Sequence, residues 1–176
     1  MAYAITLRLD ASAGVVVEAM WRALADRGIG HDAIELGYPP HITLAVYPED
    51  APAAEIRKRI TGAATKWSAL PVYLSGYGVF PGPPVVVWIV PVISAELLAR
   101  HASLHSALRT FPCERHYLPG NWMPHITLTS AATSASRAME VLTPLWRGAM
   151  LAHLDRLELV SFHPAQVLWT QALGSL

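Results

Sequence analysis

Pro40-His41-Ile42-Thr43-Leu44 returns as Pro124-His125-Ile126-Thr127-Leu128, the two histidines 84 positions apart (41 to 125). In each copy a polar His and a polar Thr alternate with Ile and Leu. That is the period of a half-buried strand, with imidazole and hydroxyl on one face and the aliphatic residues in the core. Proline is tolerated at the first residue of a strand, where no ladder N–H is needed, so each copy is expected to begin at an edge or a cleft mouth.

The chain around these copies has 176 residues, of which 53% are apolar and 15% charged, enough for one domain with a sizeable core. Thirteen basic residues balance thirteen acidic ones. A net charge of zero gives no overall field to hold long nucleic acid by counterion release, although a nucleotide or a short RNA end remains within reach. The single cysteine, Cys113, excludes an internal disulfide framework and suits a reducing compartment. Met1 to Asp10 reads as a strand rather than a signal peptide, and the longest apolar run, Val85 to Ile93, contains Pro91 and is too short to span a bilayer. The expectation is a cytoplasmic monomer without a membrane segment.

In order, Tyr3–Leu9 reads as a strand. Asp10 or Ser12 caps a helix to Arg27 whose apolar stripe is Val16, Met20, Ala23 and Leu24, and Gly28 stops it. The first His-Ile-Thr strand ends near Tyr47. Asp50 caps a second helix with Ile56, Ile60, Ala63 and Trp67 inward, and a strand runs from Pro71 towards Tyr77. Gly76 to Pro84, with three glycines and three prolines, reads as a turn. Val85–Val92 has the continuous apolar pattern of a strand buried on both faces. Ser94 caps a third helix with Leu97, Leu104 and Leu108 inward, and an irregular loop, Phe111 to Met123, leads into the second motif. A fourth helix runs from about Ser134 to Pro144, and strands Leu154–Phe162 and Val167–Ala172 close the chain.

Each half thus reads strand, helix, His-Ile-Thr strand, helix, strand. The opening strands, at Tyr3 and Val85, are 82 positions apart (3 to 85), nearly the spacing of the histidines. A duplicated α+β unit with pseudo-two-fold symmetry follows, with His41 and His125 expected on opposite sides of one cleft.

Histidine has an unperturbed pKa near 6.5 and can accept or donate a proton at neutral pH. Two that face each other can do both in one step: a neutral imidazole takes the proton of an attacking oxygen while an imidazolium protonates a leaving oxygen. Such a pair suits displacement at phosphorus, and a threonine hydroxyl on the same face can donate to the non-bridging oxygens where charge must be held. No metal is required. A single His-x-Thr is ordinarily a satisfied polar pair on a solvated face; two copies in equivalent places point to a site.

The paired motifs resemble those of the two-histidine phosphoesterase superfamily, including the 2'-5' RNA ligase-like RNA 2',3'-cyclic phosphodiesterases. Gly76-Tyr-Gly-Val-Phe-Pro and the Val/Trp-rich strand after it are similar to that family's central stretch. The resemblance implies a bilobal α+β fold, with pseudo-symmetric lobes of about 1–80 and 81–176 in a single domain 1–176, an option of exchanged terminal strands, antiparallel sheets facing a central cleft and helices outside. It implies cofactor-free and metal-independent hydrolysis of a 2',3'-cyclic phosphate on an RNA end or nucleotide, with 2'-5' ligation as the reverse reaction. His41 and His125 would be acid and base, and Thr43 and Thr127 would hold phosphate. The nearly symmetric pair leaves the two roles open, with a preference for His125 activating water and His41 protonating the leaving ribose oxygen. The basic residue usual soon after such a motif has no counterpart in Ala45-Val46-Tyr47-Pro48, and only Arg137 follows near the second copy. Tyr47, Tyr77, Tyr117, Trp122 and Phe162 are candidate base platforms, none of them singled out.

Two rival readings have their own residues. A binding module of the same fold would recognise a nucleotide or RNA end without turnover. A metal hydrolase would use His101, His105 and His116; but the Glu of a zinc-protease motif is missing, and His101 falls among Leu97, Leu104 and Leu108, where a packed histidine is expected. His31, His116, His153 and His163 read as loop or surface residues. Gly76-x-Gly78-x-x-x-Gly82 has neither the spacing nor the following helix of a dinucleotide fingerprint, and no nucleophile elbow or phosphate-binding Gly-Lys-Ser/Thr loop is present.

Overall fold

Seven strands and five α-helices make up the computed structural model, which describes residues 2–174; Met1, assigned to the first strand from sequence, and Ser175 and Leu176 lie outside the described residues. The strands are β1 (Ala2–Leu9), β2 (His41–Tyr47), β3 (Leu70–Phe80), β4 (Val85–Pro91), β5 (Ile126–Ala132), β6 (Met150–Phe162) and β7 (Gln166–Ala172). The helices are α1 (Ala11–Asp26), α2 (Asp32–Glu35), α3 (Ala53–Ala63), α4 (Ala95–Ala107) and α5 (Ala135–Leu142). The fold is α+β, and every strand pairing is antiparallel.

The strand order β2-β1-β6-β3-β4-β5 places the two motif strands at opposite edges. The long β6 joins the two halves of the sheet. Its first residues pair β3 (Leu70 opposite Leu154) and the rest pair β7 on that same side, while β1 runs along the other, with Leu9 also opposite Leu154. Each half of the sheet therefore draws on both halves of the chain: β3 lies beside β4, and β6, with β7 on its far side, lies beside β1. The sheet bends until its edges β2 and β5 come into contact, and the helices pack in crossed pairs, α1 with α5 and α3 with α4.

Local chemistry accounts for most of the boundaries. The Asp10 carboxylate accepts from the N–H groups of Ser12 and Ala13, capping α1, and also from His153 N on β6 at 2.6 Å, so one side chain ties the helix start to the sheet. Ser94 and Ser134 cap α4 and α5 through the N–H of Leu97 and of Arg137. Asp50 does not cap α3. Pro52 occupies that position without a side-chain bond, and its fixed φ suits a helix entry. On α1 the buried face is Ala13, Val17, Met20, Trp21 and Leu24. Val16 is exposed, so the expected stripe is rotated by one residue. That rotation brings Trp21 inward, which matters below.

The expected turn at Gly76 to Pro84 is shorter than its composition suggests. β3 continues to Phe80, and only residues 81–84 connect it to β4. Gly78 lies directly opposite Trp88, and a Cβ there would come within 2.3 Å of the indole. The glycine is thus a close-approach site inside a strand rather than a turn signal. α2 was not expected from sequence, because four residues carry too little periodicity to register.

Candidate active site

Burial along β2 alternates: His41 and Thr43 are half-buried, while Ile42 and Leu44 are sealed in the core. The second motif repeats this, with His125 and Thr127 half-buried and Ile126 and Leu128 buried. Both imidazoles are fixed in the same way. His41 Nδ1 lies 2.8 Å from Pro39 O and His125 Nδ1 lies 2.8 Å from Met123 O, in each case the carbonyl two residues back. A carbonyl only accepts, so Nδ1 carries the proton and donates, and Nε2 is left with a free lone pair.

The contact between the sheet edges brings one residue of each motif to a common cavity, while Thr43 and His125 are not among the residues that line it. His41 and Thr127 line a single cavity of about 250 Å³ together with Trp21, Asp32, Leu36, Tyr38, Ser130 and His163. His125 is close enough that its charge disfavours a proton on His41. Burial pushes the His41 pKa down to about 4, with the repulsion from His125 adding to it and the Pro39 bond and Glu158 opposing it. Burial also lowers His125, opposed by its Met123 bond, and His116 in the preceding loop lowers it further.

His125 is bracketed by aromatic rings, Phe80 at 5.3 Å and Trp88 at 5.8 Å between centroids, both edge-on. His41 meets Tyr38 at 4.7 Å. The Tyr38 hydroxyl donates to Glu158 Oε2 at 2.5 Å and receives the Thr6 hydroxyl at 2.7 Å, because its only proton goes to the carboxylate. Glu158, 2% exposed, also accepts from the Thr170 hydroxyl at 3.1 Å and lies 3.6 Å from the Arg8 guanidinium. Arg8 sits directly opposite His41 in the β1–β2 ladder. It is a basic residue beside the first motif, thirty-three positions upstream (8 to 41), where only the fold connects it to His41.

Across the cavity, Asp32 at the start of α2 accepts from Thr129 Oγ1 at 2.6 Å and from Ser130 N and Ser130 Oγ, both at 2.7 Å, bracing the loop that holds Tyr38 against β5. Two indoles cross between the halves. Trp122 Nε1 donates to Thr43 O at 2.9 Å, and Trp21 Nε1 donates to Thr127 O at 3.0 Å.

Of the candidate platforms, Tyr47 is fully buried in the core and Tyr77 is spent on a bond from its hydroxyl to Leu142 O at 2.9 Å. The aromatic residues that line the cavity are Trp21 and Tyr38, which lie in a helix and a Pro-rich loop and have no sequence signal that separates them from packing residues. His163 also lines it, from the exposed connection after β6. His101 and His105 adjoin, with ring centroids 4.4 Å apart, but their Nε2 atoms donate to Tyr117 O at 2.9 Å and Leu44 O at 3.1 Å. Those atoms are committed to the backbone. Among the described residues no group of three His, Cys, Asp or Glu is placed to hold a metal ion, and no helix is long and apolar enough to cross a membrane.

No protein of curated function matches the chain. Among solved structures, TT0787 of Thermus thermophilus superposes with a TM-score of 0.65 at 20% identity, covering 99% of each chain. E. coli LigT complexed with 3'-AMP gives 0.64 at 21%, covering 97% of each, and LigT complexed with NADP+ gives 0.63 at 20%, covering 98% of this chain and 97% of its own. At such identities the likeness establishes the fold. The family model described as the 2'-5' RNA ligase superfamily matches residues 16–165, a span that takes in both motif strands and the cavity between them. With twin His-Ile-Thr strands meeting in a LigT-like α+β fold, the chain belongs to the 2'-5' RNA ligase superfamily, within the two-histidine phosphoesterases.

Proposed function

We propose that this protein is a metal-independent phosphodiesterase that opens a 2',3'-cyclic phosphate on a nucleotide or short RNA end, with 2'-5' ligation as the same ring opening when a ribose 5'-hydroxyl attacks in place of water. The observation that carries the reading is the matched tautomer of His41 and His125. Each is held by a carbonyl through Nδ1 with Nε2 free, and the two are close enough to sense each other's charge.

In the forward direction, one neutral imidazole takes a proton from water as its oxygen attacks phosphorus. The other, protonated, delivers its proton to the departing ribose oxygen, so the pair exchanges roles over the step and no net proton is consumed within it. The deeper depression of His41 supports it as the base and His125 as the acid, the reverse of the preference drawn from the sequence. Thr43 and Thr127 donate to the non-bridging oxygens, and Arg8 supplies positive charge from the strand beside His41. An arriving phosphate anion itself raises the proton affinity of both histidines, which is how a site that is neutral when empty acquires its acid.

The cavity supports a nucleoside substrate. Its walls are Trp21, Leu36 and Tyr38, with no lysine or arginine among the described lining residues, so it suits a flat heterocycle rather than a second phosphate. LigT, with the same fold, is seen complexed with 3'-AMP, a product-like nucleotide.

The test is incubation with the four nucleoside 2',3'-cyclic monophosphates with and without EDTA, separating 2'- from 3'-monophosphate products. Hydrolysis unaffected by EDTA is expected. Tight binding of the same nucleotides without turnover would instead establish a recognition module.

A further inference from the structure

β2 and β5 are edge strands, and an edge strand presents a row of unpaired carbonyls along its free side. No ladder joins these two edges among the described residues, although they are in contact. What bridges them is a reciprocal pair of indoles. Trp21, on the helix after β1, donates to the carbonyl of Thr127 in the second motif; Trp122, three residues before His125, donates to the carbonyl of Thr43 in the first. In both cases the acceptor is the residue two places after the catalytic histidine, on the motif from the other half of the chain.

Neither ring is free to drift. Trp122 lies flat on His101 at 3.9 Å with 3° between planes, and His101 is pinned to Tyr117 O. Next to that bond His105 donates to Leu44 O and Glu114 N donates to Val46 O at 2.9 Å, so β2 is held by the second half at the carbonyls of Thr43, Leu44 and Val46. Trp21 is buried beneath the cavity. An indole N–H is a donor only and has two torsions, so each bond fixes a distance with little slack.

We propose that Trp122 and Trp21 are positioning residues that set the gap between His41 and His125 by tying the backbone of each motif to the opposite half. The inference rests on reading those histidines as the acid and base. Catalysis of this kind is steep in distance, a displacement of about 1 Å costing on the order of 10²-fold in rate. Loss of one strap is therefore expected to lower kcat about 10- to 100-fold.

The experiment compares Trp122→Phe, Trp21→Phe and the double variant with Trp67→Phe, whose ring lies under Arg100 at 5.4 Å and touches neither motif. Two readouts are taken: kcat and KM on a nucleoside 2',3'-cyclic monophosphate, and NMR titration of the His41 and His125 ring protons. Trp122→Phe is expected to lower kcat with KM changed by less than about threefold, and to move both titrations towards the ordinary histidine value as the rings separate and hydrate. Trp21→Phe, whose ring also walls the cavity, is judged on the titrations. The double variant is expected to fall short of the product of the single losses, since both straps set one gap. Trp67→Phe should shift neither readout, whatever it does to the melting temperature. If Trp122→Phe does not fold, 3-benzothienylalanine at 122 keeps the ring shape and its stack and lacks only the N–H. Wild-type kcat and unmoved titrations in the strap variants would overturn the proposal. Titrations that move in a protein whose wild type turns over no phosphodiester would sink the proposed reaction and leave the straps standing.

Discussion

Acid should unfold this protein through its buried histidines, and His101 allows the size of the effect to be worked out. The ring is 2% exposed, stacked on Trp122, with Nε2 donating to Tyr117 O and His105 beside it. Burial, with repulsion from His105, pushes its pKa from 6.5 down to about 4. A histidine that is harder to protonate folded than unfolded contributes stability that is complete above about pH 6.5 and is lost as pH falls towards 4, because the unfolded chain binds the extra proton. By linkage the loss at pH 4.5 is roughly 2.5 kcal/mol for this one group. His41, shifted to a similar value, adds a term of the same sign, and His105 and His125 add further ones. Domains of this size have about 5–15 kcal/mol in total, so the sum is decisive. The assay is urea denaturation followed by Trp fluorescence at pH 7.0 and 4.5, for wild type and His101→Phe. Phenylalanine keeps the stack on Trp122 but leaves Tyr117 O without its donor, a loss of about 1–3 kcal/mol at pH 7. At pH 4.5 the variant avoids the protonation penalty, so the gap to wild type should close or reverse. A variant whose deficit is the same at both pH values would refute the reasoning.

Three further outcomes follow from the geometry. In the free protein His41 and His125 both titrate below 6.5, so on the proposed mechanism kcat/KM should fall at low pH as the base is protonated and at higher pH as the acid is lost; a maximum above pH 7 in a pH–rate profile would contradict this. Leu36→Trp fills the cavity and should raise KM for nucleoside cyclic phosphates at least tenfold while leaving a cyclic phosphodiester without a base, such as glycerol 1,2-cyclic phosphate, within about threefold; equal effects on both would place the base elsewhere. Gly78→Ala drives a methyl into the Trp88 ring and should destabilise by about 1–3 kcal/mol in denaturant titration, lowering activity through the bracket around His125.

The two motif strands, their faces and their shared setting were legible because period-two alternation is a local property of each pentapeptide. So were the cap at Ser94, the cap at Asp10 as one of two candidates with Ser12, and the helix start near Ser134. Other features were hidden for physical reasons. Gly76 and Gly78 read as a turn because composition cannot tell a flexible glycine from one that makes room for Trp88. Trp21, Tyr38 and Asp32 reach the cavity, and Arg8 reaches the side of His41, only through strand pairing and loop return, so nothing in their immediate sequence marks them. The stripe of α1 was misread by one position because Val15, Val16 and Val17 are all apolar, and only packing selects Val17.

A division of labour between His41 as base and His125 as acid predicts that the two histidines respond differently to a change of leaving group. Turnover of a 2',3'-cyclic nucleotide and of an aryl phosphodiester, whose phenolate departs without a proton, is measured for wild type, His41→Ala and His125→Ala. Both variants should lose about 10²–10⁴-fold on the cyclic nucleotide. On the aryl ester His125→Ala should recover most of that loss and His41→Ala none. Full recovery in His41→Ala alone would exchange the roles, and wild-type turnover of the cyclic nucleotide in either variant would contradict two-histidine catalysis here.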